Sequence, residues 1–163
     1  MRDSYKQMLD RASAKTQETS KFFKKLKKIK TAELDNLFLE RHIRYSSEID
    51  CLDCANCCRG TGPLIKERDI KRLSKSLSMK PGEFTDTYLQ VDEEGDMIFR
   101  EMPCPFIAGN NYCIVYEDRP TACREYPHTD RQKIAKYLGP TLKNYSICPI
   151  VYLVIEDLKK TIP

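Results

Sequence analysis

The amino-acid sequence predicts an α+β protein that is mainly α-helical, with helices and one or two small β-hairpins around a cysteine-ligated centre. Three observations carry this prediction. Apolar residues recur at three- and four-residue steps over most of the chain, which is the period of amphipathic helices. Short apolar segments flank turn-forming residues, as they do in hairpins. Eight cysteines are present, and four of them fall within Cys51–Cys58.

The first 45 residues predict two helices. A capping box at Ser4–Gln7 opens an amphipathic pattern that continues as one helix to about Lys30. Thr31 is placed to cap a second helix, which runs from Ala32 to about Tyr45. His42 on this helix is predicted to be a surface or packed residue and not a metal ligand. The apolar residues expected to face inward are Leu34, Leu37, Phe38 and Ile43.

Lysines crowd the end of the first predicted helix. They form either a solvated face with cations near a helix C-terminus or a patch that contacts an anionic surface or protein partner. Residues 1–50 contain 12 Lys/Arg against 8 Asp/Glu, whereas residues 51–163 contain 16 of each. The cysteine-bearing part is therefore neutral, and this balance gives no nucleic-acid signal. The lysines concerned are Lys21, Lys24, Lys25, Lys27, Lys28 and Lys30.

The middle of the chain predicts a loop, two helices and a hairpin. A cluster loop is expected from Asp50 to Gly62, followed by a helix from about Glu67 to Leu77. Pro81 is suited to the first turn of a short helix that continues to Tyr88. Leu89-Gln90-Val91 and Met97-Ile98-Phe99 then flank Asp92–Asp96, which is predicted to be the solvated turn of a hairpin.

The last third predicts a second hairpin and three further helices. The second hairpin joins Pro105–Ala108 to Tyr112–Val115. One helix starts near Asp118, and a short one from Arg131 to Leu138 is expected to stop at Gly139-Pro140. Cys148-Pro149 opens the final helix. Its predicted buried residues are Ile150, Val151, Val154, Ile155 and Leu158.

Length and composition place limits on organisation and location. With 163 residues the chain is long enough for a real core, and we expect one compact arrangement of a basic helical segment, 1–45, and a cysteine-cluster domain, 46–163. Residues 2–30 are charged throughout, and no run of about 18 apolar residues occurs, so neither a signal peptide nor a membrane span is predicted. We therefore expect a cytoplasmic protein with reduced thiols.

The cysteine pattern predicts a metal centre. The CxxCxxCC run cannot bury four thiols in one apolar face, whereas a two-residue spacer lets thiolates converge on a metal. Disulfides and free thiols remain alternatives. Three-residue steps with a remote Cys-Pro favour an iron–sulfur cluster of the 4Fe-4S type over Zn²⁺, while sulfur donors exclude Ca²⁺ and Mg²⁺. The candidate ligands are Cys51, Cys54, Cys57, Cys58, Cys104, Cys113, Cys123 and Cys148.

The division of eight sulfurs is left open by the sequence. Adjacent Cys57 and Cys58 point in different directions, so they could serve two separate four-sulfur centres, or one could bind metal while the other packs. Arg59, Arg119 and Arg124 are candidates to offset thiolate charge, with ordinary surface ion pairs as the alternative.

The cysteine-bearing segments resemble a known family. Over about residues 45–150 the chain is similar to the bacterial CxxCxxCC proteins, which are described as zinc- or iron-chelating. The resemblance implies a small metal- or cluster-binding protein whose reaction is mostly unassigned. Some relatives are labelled flagellin lysine methylases and others iron–sulfur oxidoreductases. The segments that carry the resemblance are Cys51–Cys58, Pro103–Phe106, Tyr112–Tyr116, Arg119–Pro127 and Cys148-Pro149.

Three functions compete at this point. The first is metal or iron–sulfur binding with an electron-transfer or redox role, and the second is a lysine methylase-like, protein-modifying enzyme. The second lacks support from a glycine-rich nucleotide motif or from the CxxxCxxC spacing of radical enzymes. The third is a structural zinc module that presents its basic helix to a partner. No catalytic residue is assigned, because His128, Tyr116, Tyr126 and Tyr145 are better explained as packing or surface residues.

Overall fold

The computed structural model describes residues 1–162, and it confirms a mainly helical α+β protein. The chain is 62 % helical, and its sheet is a single antiparallel pair of strands. No helix among the described residues is long and apolar enough to cross a membrane. The helices are α1 (Asp3–Ala14), α2 (Thr16–Leu26), α3 (Thr31–Glu48), α4 (Cys51–Cys54), α5 (Asn56–Gly60), α6 (Glu67–Ser76), α7 (Pro81–Tyr88), α8 (Thr121–Glu125), α9 (Leu138–Asn144) and α10 (Pro149–Thr161), and the strands are β1 (Leu89–Val91) and β2 (Met97–Phe99).

The chain forms two compact units. The first, called the helical unit, joins Met1–Cys54 to the chain from Pro127 onward, and the second, called the hairpin unit, is Ala55–Tyr126. The division into two compact units does not test whether 1–45 and 46–163 are separate domains. That predicted division therefore stays a prediction. Pro163, where the predicted second domain ends, lies outside the described residues.

Helix α10 is the centre of the helical unit, where it packs against α1 and α3. All five residues predicted to be its buried side are buried. Helix α3 runs antiparallel to α10, since Tyr45 Oη donates to Asp157 Oδ2 at 3.1 Å and Arg41 Nη2 donates to Thr161 Oγ1 at 3.1 Å. The end of α3 therefore approaches the beginning of α10.

The N-terminal segment corrects two predictions. The single helix expected as far as Lys30 is divided at Lys15 into α1 and α2, and Thr16 Oγ1 donates to the Ser13 carbonyl at 2.8 Å at this break. Hydroxyl groups that bond nearby backbone compete in this way with helix continuation. The Ser4 capping box does not form either, because α1 already begins at Asp3.

Ile43 is a further correction, since its side chain is 62 % exposed although we expected it to face inward. The buried stripe of α3 is set by Leu34 and Phe38. At about 100° per residue, a position five residues beyond Phe38 falls well to one side of this stripe.

The predicted cluster loop is mostly helical. Cysteines 51 and 54 lie at the ends of α4, and Cys57 and Cys58 lie in α5. Ala55 separates these turns with a left-handed φ of 48°. Asp50 favours the first turn because its Oδ1 accepts the Leu52 N–H at 2.8 Å.

The hairpin unit agrees closely with its predicted elements. Helices α6 and α7 and strands β1 and β2 occupy their expected positions, with Leu89 paired to Phe99 and Val91 to Met97. Asp92 closes the turn, since its Oδ1 accepts the N–H groups of Glu94 and Asp96 at 2.9 Å. The core of this unit consists of Ile65, Leu73, Phe84, Leu89, Phe99, Phe106 and Val115.

Two late predictions are wrong in detail. The second hairpin is reduced to one bridge between Ile107 and Cys113, around a turn in which Asn111 N–H donates to the Ala108 carbonyl at 2.9 Å. The short helix predicted over 131–138 is a 3-10 helix at Ile134–Tyr137 that leads directly into α9, so Gly139-Pro140 lies in the first turn of α9 and ends no α-helix. Proline is tolerated there because the first amides of a helix have no intrahelical acceptor.

Candidate metal centre

The eight thiols divide between the two units. Cys51, Cys54 and Cys148 belong to the helical unit, and the other five belong to the hairpin unit. None of the eight forms a disulfide in the part of the chain that the structure describes. We call Cys58, Cys104, Cys113 and Cys123 the four-thiol group, and Cys51, Cys54 and Cys148 the three-thiol group.

Turns and short helices bring the four-thiol group together. Cys104 N–H donates to the Cys58 carbonyl at 2.8 Å, which joins segments 46 residues apart in sequence. Cys113 is held across the turn by its bridge to Ile107, and Cys123 lies in α8. All four side chains are partly buried.

The pKa values of these thiols show that they share one neighbourhood. Burial, together with the potential negative charge of the other three members, raises the pKa of Cys123 to about 12. Burial, together with the charges of Cys58 and Cys113, likewise raises the pKa of Cys104 to about 11. Neutral thiols are therefore favoured until a cation offsets the clustered charge.

Backbone amides and arginines favour the thiolate forms. Phe106 N–H donates to the Cys104 sulfur and Val115 N–H to the Cys113 sulfur, and both bonds lower the pKa of the accepting thiol. The Arg119 charge lowers the pKa of Cys113 and Cys123. Hydrogen bonds and cations of this kind surround thiolate–metal sites.

Cys58 is the most acidic member of the group. Its pKa is lowered to about 7, chiefly by a hydrogen bond from Cys57, whose Sγ lies 3.9 Å away, and also by the charge of Arg59, although burial opposes both. Arg59 and Arg119 thus place positive charge near these thiols, while their role beside a bound metal stays a prediction. Arg124 instead donates to backbone carbonyls, among them that of Arg119 at 3.1 Å.

A buried clamp positions the segment that carries Cys123. Asp69 on α6 has no exposed surface, and its Oδ1 accepts Thr121 N–H at 3.0 Å and Thr121 Oγ1 at 2.8 Å. Arg72 pairs with Asp69 at 2.7 Å and donates to the Asp118 and Arg119 carbonyls at 3.1 and 2.9 Å. Asp69 thereby caps α8 from another helix.

Sequence reasoning missed this clamp. Asp69 and Arg72 stand three residues apart on a predicted helix, which is an ordinary surface-pair spacing. The one available signal was that α8 begins after Pro120 without a strong capping residue of its own. Nothing in the sequence indicates that a carboxylate 52 residues earlier supplies this missing cap.

The three-thiol group belongs to the helical unit, with Cys51 and Cys54 at the ends of α4 and Cys148 at the N-cap of α10. Cys51 is exposed, while Cys54 and Cys148 are buried. Burial, with a smaller contribution from Cys51 and Cys54, raises the pKa of Cys148 to about 12. The N–H groups of Ile150 and Val151 donate to the Cys148 sulfur and act in the opposite direction.

Neither group is a completed coordination shell. Among residues 1–162, no three His, Cys, Asp or Glu side chains are arranged so that they could hold a metal ion as they stand. Thiols interact electrostatically over distances longer than a metal–sulfur bond. The mutual effects on their pKa values are therefore compatible with the lack of a completed shell. The donor chemistry fits zinc or iron, because each group offers sulfur alone.

The other candidate residues have structural roles. His42 Nδ1 lies 2.7 Å from Thr129 Oγ1, and the His128 ring stacks on Tyr137. Tyr145 is buried and donates to Glu156 at 2.7 Å. The Tyr116 ring lies under the guanidinium of Arg119, 3.8 Å from its centroid. These contacts give no indication of a catalytic role for any of these residues.

The six lysines near the end of α2 are all exposed. Both a solvated face and a partner surface require exposed lysines, so this exposure does not distinguish the two. Contact with an anionic surface therefore stays a prediction.

Comparison with known proteins gives one result. Residues 50–144, more than half of the chain, match the model of the CxxCxxCC family, described as "Putative zinc- or iron-chelating domain". Seven of the eight cysteines lie within this match, and Cys148 lies beyond it. Neither the curated proteins nor the solved structures compared with the chain include a match. The coverage of the family model shows that this chain belongs to the CxxCxxCC family.

Proposed function

We propose that this chain is a metal-binding protein in which the four-thiol group holds zinc or an iron–sulfur cluster. The observation that carries the proposal is the mutual electrostatic interaction of Cys58, Cys104 and Cys113 with Cys123 inside one compact unit. Clustered thiols repel one another once ionised, and a divalent or cluster cation removes that repulsion. The family, described by zinc or iron chelation, supports the same class of function.

The surrounding residues support a bound, negatively charged set of sulfurs. Phe106 and Val115 amides donate to two of the thiols, and Arg119 supplies positive charge to two. The Asp69 clamp fixes the start of α8 and so limits where the Cys123 sulfur can lie. Bound zinc would stabilise the fold, whereas an iron–sulfur cluster would supply an electron-transfer centre.

The two metals lead to different functions. An iron–sulfur cluster favours an electron-transfer or redox role, and the hydrogen bonds to the Cys104 and Cys113 sulfurs would then tune its reduction potential. Zinc favours a structural module whose function is to present a surface. Both depend on the same four sulfurs, so one experiment tests the shared claim and separates the alternatives.

The experiment is anaerobic purification followed by absorption spectroscopy and analysis of iron, acid-labile sulfide and zinc in one sample. Coloured protein with iron and sulfide supports a cluster, and colourless protein with zinc supports the structural centre. Cys123→Ser should lose the metal of this group, while Cys57→Ser, which keeps all four members, should retain it. Metal content that is unchanged by Cys123→Ser would contradict the proposal.

A further inference from the structure

Two segments of the helical unit carry most of its positive charge. Residues 19–32 contain six lysines, and residues 131–155 contain three lysines and one arginine, while neither segment contains an Asp or a Glu. The helical unit as a whole has 18 Lys/Arg against 12 Asp/Glu, whereas the hairpin unit has 10 against 12. The basic excess of the chain is therefore concentrated in one unit and, within it, in two segments.

Helices α2 and α9 bring these two segments together. The helices pack against each other, and a groove of about 130 Å³ lies between them. Phe23, Leu138 and Leu142 give the groove apolar lining, and the exposed Lys24 and Lys27 line it with cationic side chains. The groove is therefore an apolar recess in a basic surface.

Further lysines extend the charge of the groove over the surrounding surface. Lys21 and Lys28 stand three residues before and four residues after Lys24, so these three side chains lie along one face. The backbone stays helical as far as Lys28, since its N–H donates to the carbonyl three residues earlier at 3.0 Å. On α9, the exposed Lys143 lies four residues after Gly139, which also lines the groove.

The fold does not use the lysines of residues 19–32 in ion pairs. Lys15 and Lys159 pair with Glu156 at 2.9 and 2.8 Å, and Glu18 pairs with Lys159 at 3.2 Å. Within the described chain, by contrast, no carboxylate pairs with any of the six lysines in residues 19–32. Like charges three or four residues apart destabilise a helix, so this cluster is not explained by the stability of α2.

Lysines around an apolar groove match the surface of an anionic phospholipid bilayer. Nine of the ten cations in the two segments are lysines, which act as flexible point charges and lack the planar fork with which arginine grips a single carboxylate or phosphate. Clusters of about four to eight basic residues on an amphipathic helix are typical of binding to anionic lipids. Nucleic acid is less well matched, because Phe22 and Phe23 of α2 are buried and offer bases no ring on which to stack.

We propose that the α2–α9 face, formed by the lysines and the apolar groove between them, docks on an anionic phospholipid bilayer. The lysines contact lipid phosphates, and the groove accepts part of one acyl chain. The buried residues of α2 stay in the protein core, so the protein lies on the bilayer without inserting this helix. The surface belongs to the helical unit and does not involve the four-thiol group, so this proposal and the metal-binding proposal can fail separately.

The test is co-sedimentation of the full chain, purified with its metal, with lipid vesicles. The chain should bind vesicles of mixed phosphatidylcholine and phosphatidylglycerol, release them as salt is raised, and ignore vesicles of phosphatidylcholine alone. Lys24→Gln combined with Lys27→Gln should weaken binding about 25-fold, because each lysine near an anionic surface contributes about fivefold. The matched control, Lys71→Gln with Lys75→Gln, removes two exposed lysines from α6 and should bind as the wild type does.

All four substituted lysines are exposed, so both double variants should fold. Equal weakening by the two double variants would show that net charge alone attracts the chain, and would overturn the assignment of this face. Polyglutamate and a single-stranded oligonucleotide serve as competing polyanions. A chain that binds either of them but does not bind the mixed vesicles would overturn the bilayer as the partner.

The role of the groove has its own measurement. Dihexanoyl phosphatidylglycerol, a soluble lipid with short chains, should shift the NMR signals of the Leu138 and Leu142 methyl groups. Glycerol phosphate, which has the charge without the chains, should leave these signals in place. Methyl signals that do not respond to the lipid would overturn the binding of an acyl chain in the groove.

Discussion

The two thiol groups are held by different kinds of structure. The three-thiol group uses one helical turn, α4, and the N-cap residue of the long helix α10, which lies in a large apolar core. The four-thiol group is collected from short helices and a turn between Cys58 and Cys123, above a small core. Long helices can hold their thiols in place without metal, whereas short turns rely on cross-links. We therefore expect the hairpin unit to depend more on its metal.

Metal removal is the sharpest way to break this comparison. Chelation should remove amide-exchange protection from residues 104–125 first and most, because structural metal binding contributes on the order of 10 kcal/mol to small metal-dependent folds. Helix α10 should keep its protection. Hydrogen–deuterium exchange measured by mass spectrometry, with zinc restored to a control sample, checks this. Equal loss in both units, or greater loss in α10, would contradict the comparison.

The Asp69 clamp should give the next largest effect. Asp69→Asn leaves the Arg72 charge and the start of α8 poorly paired, so we expect a loss of about 3 kcal/mol in the free energy of unfolding and weaker metal binding. Urea denaturation and a zinc-competition titration measure the two effects. Asp86→Asn on the exposed side of α7 is the matched control and should change neither. A stability equal to the wild type would show that the clamp does not position α8.

Glu156 should make the helical unit sensitive to acid. Burial would raise its pKa, but hydrogen bonds from Lys159 at 2.8 Å, Lys15 at 2.9 Å and Tyr145 at 2.7 Å outweigh burial and lower it to about 2. The stabilisation is complete above the ordinary value of 4.5 and is lost as the pH falls from there towards 2.

We expect the ionised Glu156 carboxylate to contribute about 2–3 kcal/mol to the free energy of unfolding. The wild type loses this stabilisation over that pH interval, whereas Glu156→Gln lacks it at every pH. Urea denaturation at a series of pH values measures the difference between the two chains, and acid release of metal largely cancels because both chains share it. Glu40→Gln, at an exposed position on α3, is the control. If the free energy of unfolding changed with pH in the same way for the wild type and Glu156→Gln, the stabilisation by the Glu156 carboxylate would be ruled out.

The junction at Ala55 should give the smallest effect. Its φ of 48° lies in the region that non-glycine residues adopt at a cost of about 1–2 kcal/mol. Ala55→Gly relieves that strain but frees the unfolded chain, so we expect a net gain of about 0.5–1 kcal/mol with metal content unchanged. The same substitution at Ala12, inside α1, should destabilise by about 1 kcal/mol. Thermal unfolding distinguishes the two, and destabilisation by Ala55→Gly would refute the strain argument.

Local signals predicted much of the hairpin unit and of α10. Pro81, the acidic turn after Leu89–Val91 and Cys148-Pro149 each act within a few residues, so the corresponding elements begin where the sequence indicates. The division of the N-terminal helix at Lys15 was not predictable in the same way, because the apolar period continues across it.

The division of the cysteines required the fold. Three-residue steps from Cys51 to Cys57 suggest one continuous face, and alanine gives no hint of a left-handed residue at position 55. The partners of Cys58 and Cys54 lie 46 and 94 residues away, in segments whose approach depends on tertiary packing. The residue types were readable from the sequence, while their grouping was not.

The most direct test of the account is a zinc count by native mass spectrometry, with zinc titrated into the reduced, metal-free chain. The account predicts a zinc-bound wild-type species and a Cys123→Ser species that lacks the zinc held by the four-thiol group. A wild type that binds no zinc, or a Cys123→Ser chain that binds as many zinc ions as the wild type, would contradict the claim that the four-thiol group holds the metal.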